Sequence, residues 1–205
     1  TACIYPIVAG ILTNKIVKIL NLNQNNLQGD LNHCVNTIKN LGFDVEITNS
    51  YYRINPNKKS ESKSTILNLD SSDTFLTIAI ILPFLKNKFN IINIENQNIK
   101  ESNRIDLTNN YMYEMGFDIS ENNSKLFINP SSNNLLNGTY IDCCNDHRIA
   151  MTFSLLAAKV NNIVISDFLC VNKTYPSFWN DISKFGIKIR EFKEEYNQVK
   201  RKPYI

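Results

Sequence analysis

A threefold internal repeat organises the 205-residue sequence. Three triplets with a central glycine follow amphipathic runs, and the glycines lie 74 and 70 residues apart. In each run apolar residues recur every three or four positions, which is typical of a helix with one buried face. The glycine suits the positive φ of a helix C-terminus, and the alternating apolar residues beyond it predict a short strand. The triplets begin at Leu41, Met115 and Phe185, and the strands predicted after them include 187–189.

Two further segments precede each amphipathic run. The nearer one predicts a strand, and the farther one is too uniformly apolar for a surface helix, so it predicts a buried helix. Strands are predicted at 16–22, 89–94 and 163–168, buried helices at 4–12, 74–85 and 149–160, and opening strands at 65–69 and 139–142. The predicted unit is therefore βαβαββ in an α/β (α+β) fold, and its first copy lacks the opening strand.

Charged residues recur at the start of the predicted helices. Any α/β protein alternates strands and helices, but it would not repeat charges at matched places. Helix N-termini favour anions, because their backbone N–H groups are unpaired. If the buried helices pack about a common axis, these ends converge and predict a site for a multiply charged anion. The residues are Gln28 to Asp30, Asp73, Lys100, Glu101, Asp146, His147, Arg148 and Lys173.

Each charged segment also has a structural interpretation. The pair Lys100 and Arg104 could share one helical face and bind an anion, or Glu101 could form a salt bridge with them at a solvated helix start. Asp73 and Asp146 could be ordinary N-caps, and Lys173 could be a surface lysine. Pro176 is expected in the first turn of the third amphipathic helix, Pro83 is expected to kink the second buried helix, and Tyr5 fits a core aromatic.

Composition excludes several classes of protein. There are 22 Lys and Arg against 19 Asp and Glu, and this formal charge of +3 does not indicate a nucleic-acid-binding protein. Five cysteines without a C-x-x-C pair and two histidines make a metal site or a disulfide framework improbable. No apolar run reaches the roughly 18 residues of a membrane span. The sequence predicts a cytoplasmic protein that neither spans nor binds a membrane. Its start at Thr1, without Met, predicts that it is part of a longer polypeptide.

Three segments resemble signature motifs of the 5-enolpyruvylshikimate-3-phosphate (EPSP) synthases. They are Lys100-Glu101-Ser102-Asn103-Arg104, Asn145-Asp146-His147-Arg148-Ile149-Ala150-Met151 and Lys173-Thr174-Tyr175-Pro176, and Leu27 to Asp30 and Asp73 to Phe75 fit the same order. The enolpyruvyl transferases that act on UDP-N-acetylglucosamine share the repeat but differ at the second and third motifs. They are therefore the weaker alternative.

The resemblance implies an enolpyruvyl transferase-like lobe, an inside-out α/β barrel, in about the C-terminal half of a two-lobed enzyme. Residues 1–44 would be the final part of one lobe, 45–190 the major part of the second, and 191–205 a charged linker or tail. The parent would be a fungal-type pentafunctional arom polypeptide, in which shikimate kinase follows. Its other partners would be the missing N-terminal half and the two small substrates.

By the same resemblance, the enzyme transfers the carboxyvinyl group of phosphoenolpyruvate to the 5-hydroxyl of shikimate 3-phosphate. It needs no metal or organic cofactor. Asp73 would help to deprotonate the hydroxyl, and Glu101 would protonate the methylene carbon. Arg104 and Arg148 would bind the carboxylate of phosphoenolpyruvate, and Lys173 would bind its phosphate. Shikimate 3-phosphate would be bound by Tyr5, Asp73, Asn96 and Lys100, of which Lys100 would also be catalytic. Asp146 and His147 would support Arg148.

Some positions depart from the family pattern. Ala2-Cys3-Ile4 stands where the family has a Ser-rich stretch, and Thr74 stands where Ala is common. Because further ligands would belong to the missing half, this chain alone is predicted to show no turnover. A non-catalytic anion-binding lobe is the competing hypothesis, but both carboxylates, Asp73 and Glu101, are present. The Lys-rich loop 58–63 lacks the interleaved aromatics of nucleic-acid binding.

Overall fold

The computed structural model describes residues 2–21, 29–58, 60–131 and 136–191, without the side chains of Lys58, Ser72 and Asp73. Both helices and strands occur along this part of the chain. In chain order they are α1 Ile4–Thr13, β1 Val17–Leu20, α2 Gly29–Asn40, β2 Phe43–Ile47, β3 Tyr51–Lys58, β4 Ile66–Asn68, α3 Ser72–Ala79, β5 Phe89–Ile92, α4 Arg104–Glu114, β6 Ile119–Glu121, β7 Leu126–Ile128, β8 Tyr140–Ile141, α5 His147–Leu155, β9 Val164–Ile165 and α6 Phe178–Ser183.

The three apolar helices α1, α3 and α5 form the centre of the molecule. Each of them contacts the other two. Ile7 of α1, Leu76 of α3 and Met151 of α5 are at most 1% exposed, as expected for helices without a polar face. The predicted buried helices around a common axis are confirmed.

The sheets repeat one pairing scheme. The second repeat forms a sheet in the order β4-β5-β7-β6, with β4 parallel to β5 and the other neighbours antiparallel. In the first repeat the order β1-β3-β2 reproduces the antiparallel part, and in the third β8 and β9 reproduce the parallel pair. The predicted βαβαββ unit is therefore complete in the second repeat.

The three repeat glycines end the amphipathic helices as predicted. Gly42, Gly116 and Gly186 have φ angles of 96°, 92° and 88°, a region that costs other residues strain. Each glycine N–H donates to the carbonyl three residues earlier, at 2.9 to 3.0 Å, which closes the helix before the chain turns into the next segment.

Three local predictions were wrong. Helix α3 ends at Ala79 instead of continuing with a kink, and Pro83 lies in a separate 3₁₀ turn, Leu82–Phe84, because proline lacks the N–H of a helix interior. Residues 187–189 form no strand within the described part of the chain. Helix α6 begins after Ser177, so Pro176 precedes its cap.

The predicted boundary near residue 44 falls inside one hydrophobic core. Buried side chains from Ile4 to Ile187 belong to a single cluster, and α1 packs against α3 and α5. The division into 1–44, 45–190 and 191–205 remains a prediction about the longer protein, and most of its last part lies outside the described residues.

Candidate active site

The starts of α4 and α5 meet in a buried ion pair. Arg104, the first residue of α4, and Asp146, the N-cap of α5, both have fully buried side chains. Arg104 Nε donates to Asp146 Oδ2 at 2.8 Å, and Nη2 donates to Oδ1 at 3.2 Å. This bidentate geometry links two repeats through residues 42 positions apart.

Two more donors complete the surroundings of Asp146. Ser102 Oγ donates to Oδ2 at 2.8 Å, and the backbone N–H of Arg148 donates to Oδ1 at 2.9 Å. Burial alone would raise the pKa of Asp146, but the bonds from Arg104, Ser102 and the Arg148 backbone outweigh it and lower the pKa. Asp146 is therefore ionised at neutral pH and fixes the geometry of both helix starts.

Glu101 lies between two arginines. Its Oε2 accepts a hydrogen bond from Arg104 Nη2 at 2.5 Å, and its Oε1 lies 3.5 Å from Arg148 Nη1. The side chain is 42% exposed. Partial burial alone would raise the pKa of Glu101. A backbone hydrogen bond and the two guanidinium groups outweigh this effect, so the pKa is lowered. Glu101 is therefore a solvent-accessible carboxylate held by cations.

His147 is buried beside Arg148. Its Nε2 lies 3.2 Å from Arg148 Nη1, and because arginine can only donate, Nε2 accepts and Nδ1 carries the proton. Burial lowers the pKa of His147, and the positive charges of Arg148 and Lys173 lower it further. His147 is therefore neutral at pH 7, as it must be to hold the arginine.

Two exposed lysines belong to the same motifs. Lys173 ends the 3₁₀ segment Phe168–Lys173 and is near enough to His147 to affect its pKa. Lys100 directly precedes Glu101 and is exposed. Arg104 and Arg148 balance the carboxylates of Glu101 and Asp146, and Lys173 adds a positive charge beside them. The arrangement can bind an anion and offers it an exposed carboxylate for proton transfer.

A second junction joins the starts of α2 and α3. Ser71 Oγ donates to Asp30 Oδ1 at 2.6 Å, and Thr74 Oγ1 donates to the carbonyl of Asp30 at 3.1 Å. Asn96 binds there too, because its Nδ2 donates to the carbonyl of Asp70 at 2.8 Å. The backbone of Asp73 lies in the first turn of α3, and its side chain lies outside the described residues.

Tyr5 lies in the hydrophobic core. It is 2% exposed and packs edge-on against Phe178 of α6, with ring centroids 6.0 Å apart. This is the position of a core aromatic, the alternative considered above for this residue. Its contact with shikimate 3-phosphate remains a prediction.

The partnership of Arg104 with Asp146 and the role of Ser102 were missed by the sequence interpretation. Asp146 was expected to support Arg148. Its side chain accepts from the Arg148 backbone N–H and, in addition, binds the Arg104 guanidinium. The sequence signal that could have indicated a carboxylate partner was Ser102, a hydrogen-bond donor within the motif from Lys100 to Arg104.

The described residues contain no group of three or more His, Cys, Asp or Glu placed to hold a metal ion. No helix among them is long and apolar enough to cross a membrane.

Solved structures identify the fold as that of the enolpyruvyl transferases. The enolpyruvyl transferase NikO from Streptomyces tendae matches with a TM-score of 0.70 at 14% identity, over 91% of this chain and 43% of NikO. The EPSP synthase from Acinetobacter baumannii matches with a TM-score of 0.69 at 18% identity, over 92% of this chain and 46% of that chain.

Sequence comparison then gives the family. The family model of EPSP synthase (3-phosphoshikimate 1-carboxyvinyltransferase) matches residues 1–182, so the chain belongs to this family. A 3-phosphoshikimate 1-carboxyvinyltransferase from Clostridium novyi is 32% identical over 91% of this chain and 42% of its own length. The pentafunctional AROM polypeptide of Pneumocystis carinii is 31% identical over 96% of this chain and 13% of its own length. The chain thus spans about 40% of the single-function relative.

Proposed function

We propose that the chain is the C-terminal part of an enzyme that transfers the carboxyvinyl group of phosphoenolpyruvate to the 5-hydroxyl of shikimate 3-phosphate. The observation that carries this proposal is the linked set of Glu101, Arg104, Asp146 and Arg148, which joins two of the family motifs in one ionic cluster. Family membership supports the reaction.

The arginines suit a carboxylate ligand. Arg104 Nη1 is buried and has no hydrogen-bond partner among the described residues, so an incoming carboxylate oxygen would satisfy this donor. The Arg148 side chain is 23% exposed and can approach the same ligand from the solvent side. Phosphoenolpyruvate also carries a phosphate, for which Lys173 is the proposed partner.

Glu101 suits proton transfer to the methylene carbon of phosphoenolpyruvate. Arg104 and Arg148 help to keep it ionised in the absence of substrate. A bound substrate carboxylate would compete for both guanidinium groups, which raises the pKa of Glu101 and allows it to hold a proton. As the 5-hydroxyl oxygen attacks C2, Glu101 gives this proton to C3. It takes a proton back from C3 when phosphate leaves.

The remaining assignments follow the family resemblance. We propose that Asp73 accepts the hydroxyl proton, that Lys100 takes part in catalysis, and that Lys100, Asn96 and Tyr5 bind shikimate 3-phosphate. The part of the enzyme outside this chain would supply the other ligands. A parent polypeptide of the arom type, with further domains such as shikimate kinase, agrees with the name of the Pneumocystis carinii relative.

Substitution of Glu101 tests the proposal. In the longer protein that contains the complementary half, Glu101→Gln should lower kcat by about 10²- to 10⁴-fold, the usual contribution of a general acid or base. Glu121→Gln is the matched control, because Glu121 lies on the β6–β7 hairpin, where its carboxylate accepts from the backbone N–H of Ser124. An unchanged rate would exclude Glu101 as the proton donor. Binding of phosphoenolpyruvate without turnover by the wild-type protein would instead favour the non-catalytic lobe.

A complementation assay tests the need for the missing half. The purified 205 residues should release no phosphate from phosphoenolpyruvate and shikimate 3-phosphate, and activity should return when the complementary half is added. Turnover by the 205 residues alone would contradict this part of the proposal.

A further inference from the structure

Two cysteines follow the parallel strands of the third repeat. Cys143 comes directly after β8, and Cys170 lies in the 3₁₀ segment Phe168–Lys173, which follows β9. Because β8 and β9 run parallel, with Ile141 beside Ile165, the chain leaves both strands at the same edge of the sheet. The topology therefore brings together two cysteines that are far apart in sequence.

Cys143 is held against the residue that leads into the 3₁₀ segment. Its backbone N–H donates to Ser166 Oγ at 3.3 Å, and its Sγ donates to the Ser166 carbonyl at 2.8 Å. Cys170 closes the turn that follows, because its N–H donates to the carbonyl of Asp167 at 2.9 Å. The thiol of Cys143 therefore lies at the start of the turn that holds Cys170.

The two thiols share a hydrogen bond in which Cys143 is the donor. The S–H of Cys143 thus faces two acceptors, the Ser166 carbonyl and Cys170 Sγ. Burial, together with the charge and the hydrogen bond of Cys170, raises the pKa of Cys143 to about 12. Burial also raises the pKa of Cys170, but the hydrogen bond from Cys143 and the positive charge of Lys173 act in the opposite direction. The thiolate is therefore more accessible at Cys170.

The two members of the pair differ in their access to solvent. Cys143 is fully buried, whereas Cys170 is half-buried and directly follows Leu169, which is 64% exposed. An oxidant in solution can therefore reach Cys170 first, and the buried thiol is in place to react with the product. An accessible cysteine beside a resolving cysteine is the arrangement of redox-sensitive sites.

We propose that Cys143 and Cys170 form a redox-modification site, which a hydroperoxide converts into an intramolecular disulfide. In the first step the Cys170 thiolate attacks an oxygen of hydrogen peroxide. An S–O bond forms, the O–O bond breaks, and the departing hydroxide takes up the thiol proton as water. In the second step the Cys143 sulfur attacks the Cys170 sulfur. The S–S bond forms, the S–O bond breaks, and the hydroxide leaves with the Cys143 proton as a second water. The two thiols lose two electrons, which reduce the peroxide.

The disulfide would link two segments of the candidate active site. The carbonyl of Cys143 accepts from the N–H of Asp146 at 2.7 Å, so Cys143 belongs to the turn that caps α5. The segment that carries Cys170 ends at Lys173. Oxidation would therefore connect the turn of Asp146 covalently to the segment of Lys173. The pairing of the cysteines does not depend on the proposed catalysis.

Peptide mapping of the longer protein tests the inference. The reduced protein is treated with hydrogen peroxide, its remaining thiols are blocked with iodoacetamide, and it is digested without reductant. Peptides linked through Cys143 and Cys170 are expected at any protein concentration, and dithiothreitol should separate them. Cys144→Ser is the matched control, because Cys144 adjoins Cys143 but its thiol faces the carbonyl of Asp142. The yield of linked peptides should be unchanged in this variant.

Two further variants test the order of the steps. In Cys143→Ser the reaction should stop at a sulfenic acid on Cys170, which dimedone traps. In Cys170→Ser the oxidation of Cys143 should be at least about 10-fold slower than in the wild-type protein, because the remaining thiol is buried. Equally fast oxidation of Cys143 in that variant would overturn the assignment of Cys170 as the attacking thiol.

The wild-type peptide map decides the pairing itself. Thiols that stay reduced, or that form separate sulfinic acids at Cys143 and Cys170, would show that the two sulfurs do not react with each other. A link from either of them to Cys144 or Cys3 would identify a different pair. A link that appears only at high protein concentration would join two copies of the chain. Each of these results overturns the inference, and none requires turnover, so a failure of the proposed function would be recognised separately.

Discussion

The two helix junctions use similar backbone positions for different chemistry. At the junction of α4 and α5, Asp146 is fully buried and binds Arg104, Ser102 and a backbone N–H. At the junction of α2 and α3, Asp30 is half-buried and accepts a hydrogen bond from Ser71. Each junction has a serine hydroxyl bound to an aspartate, but a buried arginine is described only at the first.

This difference shows what the repeat fixes and what it leaves free. The repeated unit brings helix N-termini together, and such ends favour anions whatever the side chains are. The ionic junction adds fixed positive charge and an exposed carboxylate, and hence the means for proton transfer. Burying a charge pair costs desolvation energy that good geometry must offset, so we infer that the charges at this junction serve the chemistry of the site.

The largest effect should come from breaking the buried pair. Asp146→Asn leaves the guanidinium of Arg104 without its charged partner, and such losses typically cost about 3 to 5 kcal/mol of folding free energy. Asp30→Asn at the other junction, where the described partner of the carboxylate is the uncharged Ser71 hydroxyl, should cost less than about 1 kcal/mol. Urea unfolding of the two variants measures both values. Equal losses would show that the junctions are energetically alike.

A smaller contrast is expected for the matched serines. Ser102→Ala removes a donor from a fully buried carboxylate and should cost about 2 kcal/mol, whereas Ser71→Ala, next to a half-buried carboxylate, should cost about 1 kcal/mol. The same unfolding assay applies. A larger loss for Ser71→Ala would reverse the assignment of Asp146 as the more strongly constrained carboxylate.

The repeat was predictable because its signals are local. Periodicity and a glycine at each helix end specify the helices without knowledge of their neighbours, and the positive φ of Gly42, Gly116 and Gly186 confirms this. The predicted strand at 187–189 failed for the opposite reason. A strand is stabilised by its hydrogen-bonded neighbour, and the third repeat has no described partner strand at that place.

The site could be predicted only in part. The motifs indicated the charged residues, but they did not indicate which carboxylate pairs with which arginine. Asp146 is two residues from Arg148 and 42 from Arg104, and the sequence interpretation named only its support of Arg148. As the N-cap of α5, Asp146 uses Oδ1 for the backbone of Arg148, and the position of α4 brings Arg104 to the same carboxylate. Tertiary packing decides this pairing.

The smallest expected difference concerns the two histidines, one near each junction. Burial and the charges of Arg148 and Lys173 lower the pKa of His147 below its ordinary value of 6.5. At pH values between the lowered pKa of the folded state and the ordinary pKa of the unfolded state, the unfolded state binds more protons than the folded state. The stabilising contribution is therefore complete above about pH 6.5 and declines as the pH falls towards the folded-state pKa, by at most about 1.4 kcal/mol per pH unit.

His147→Gln should remove this decline, because glutamine can still accept the Arg148 hydrogen bond and does not titrate. His33→Gln is the matched control. His33 contacts Asp70 near the second junction, at 3.6 Å, and its side chain is 31% exposed. Unfolding free energies measured from pH 5 to 8 should have a shallower slope in the His147 variant than in the wild-type protein. A slope unchanged by His147→Gln would mean that the imidazole takes up its proton as readily in the folded as in the unfolded state, which the contact between Nε2 and Arg148 opposes.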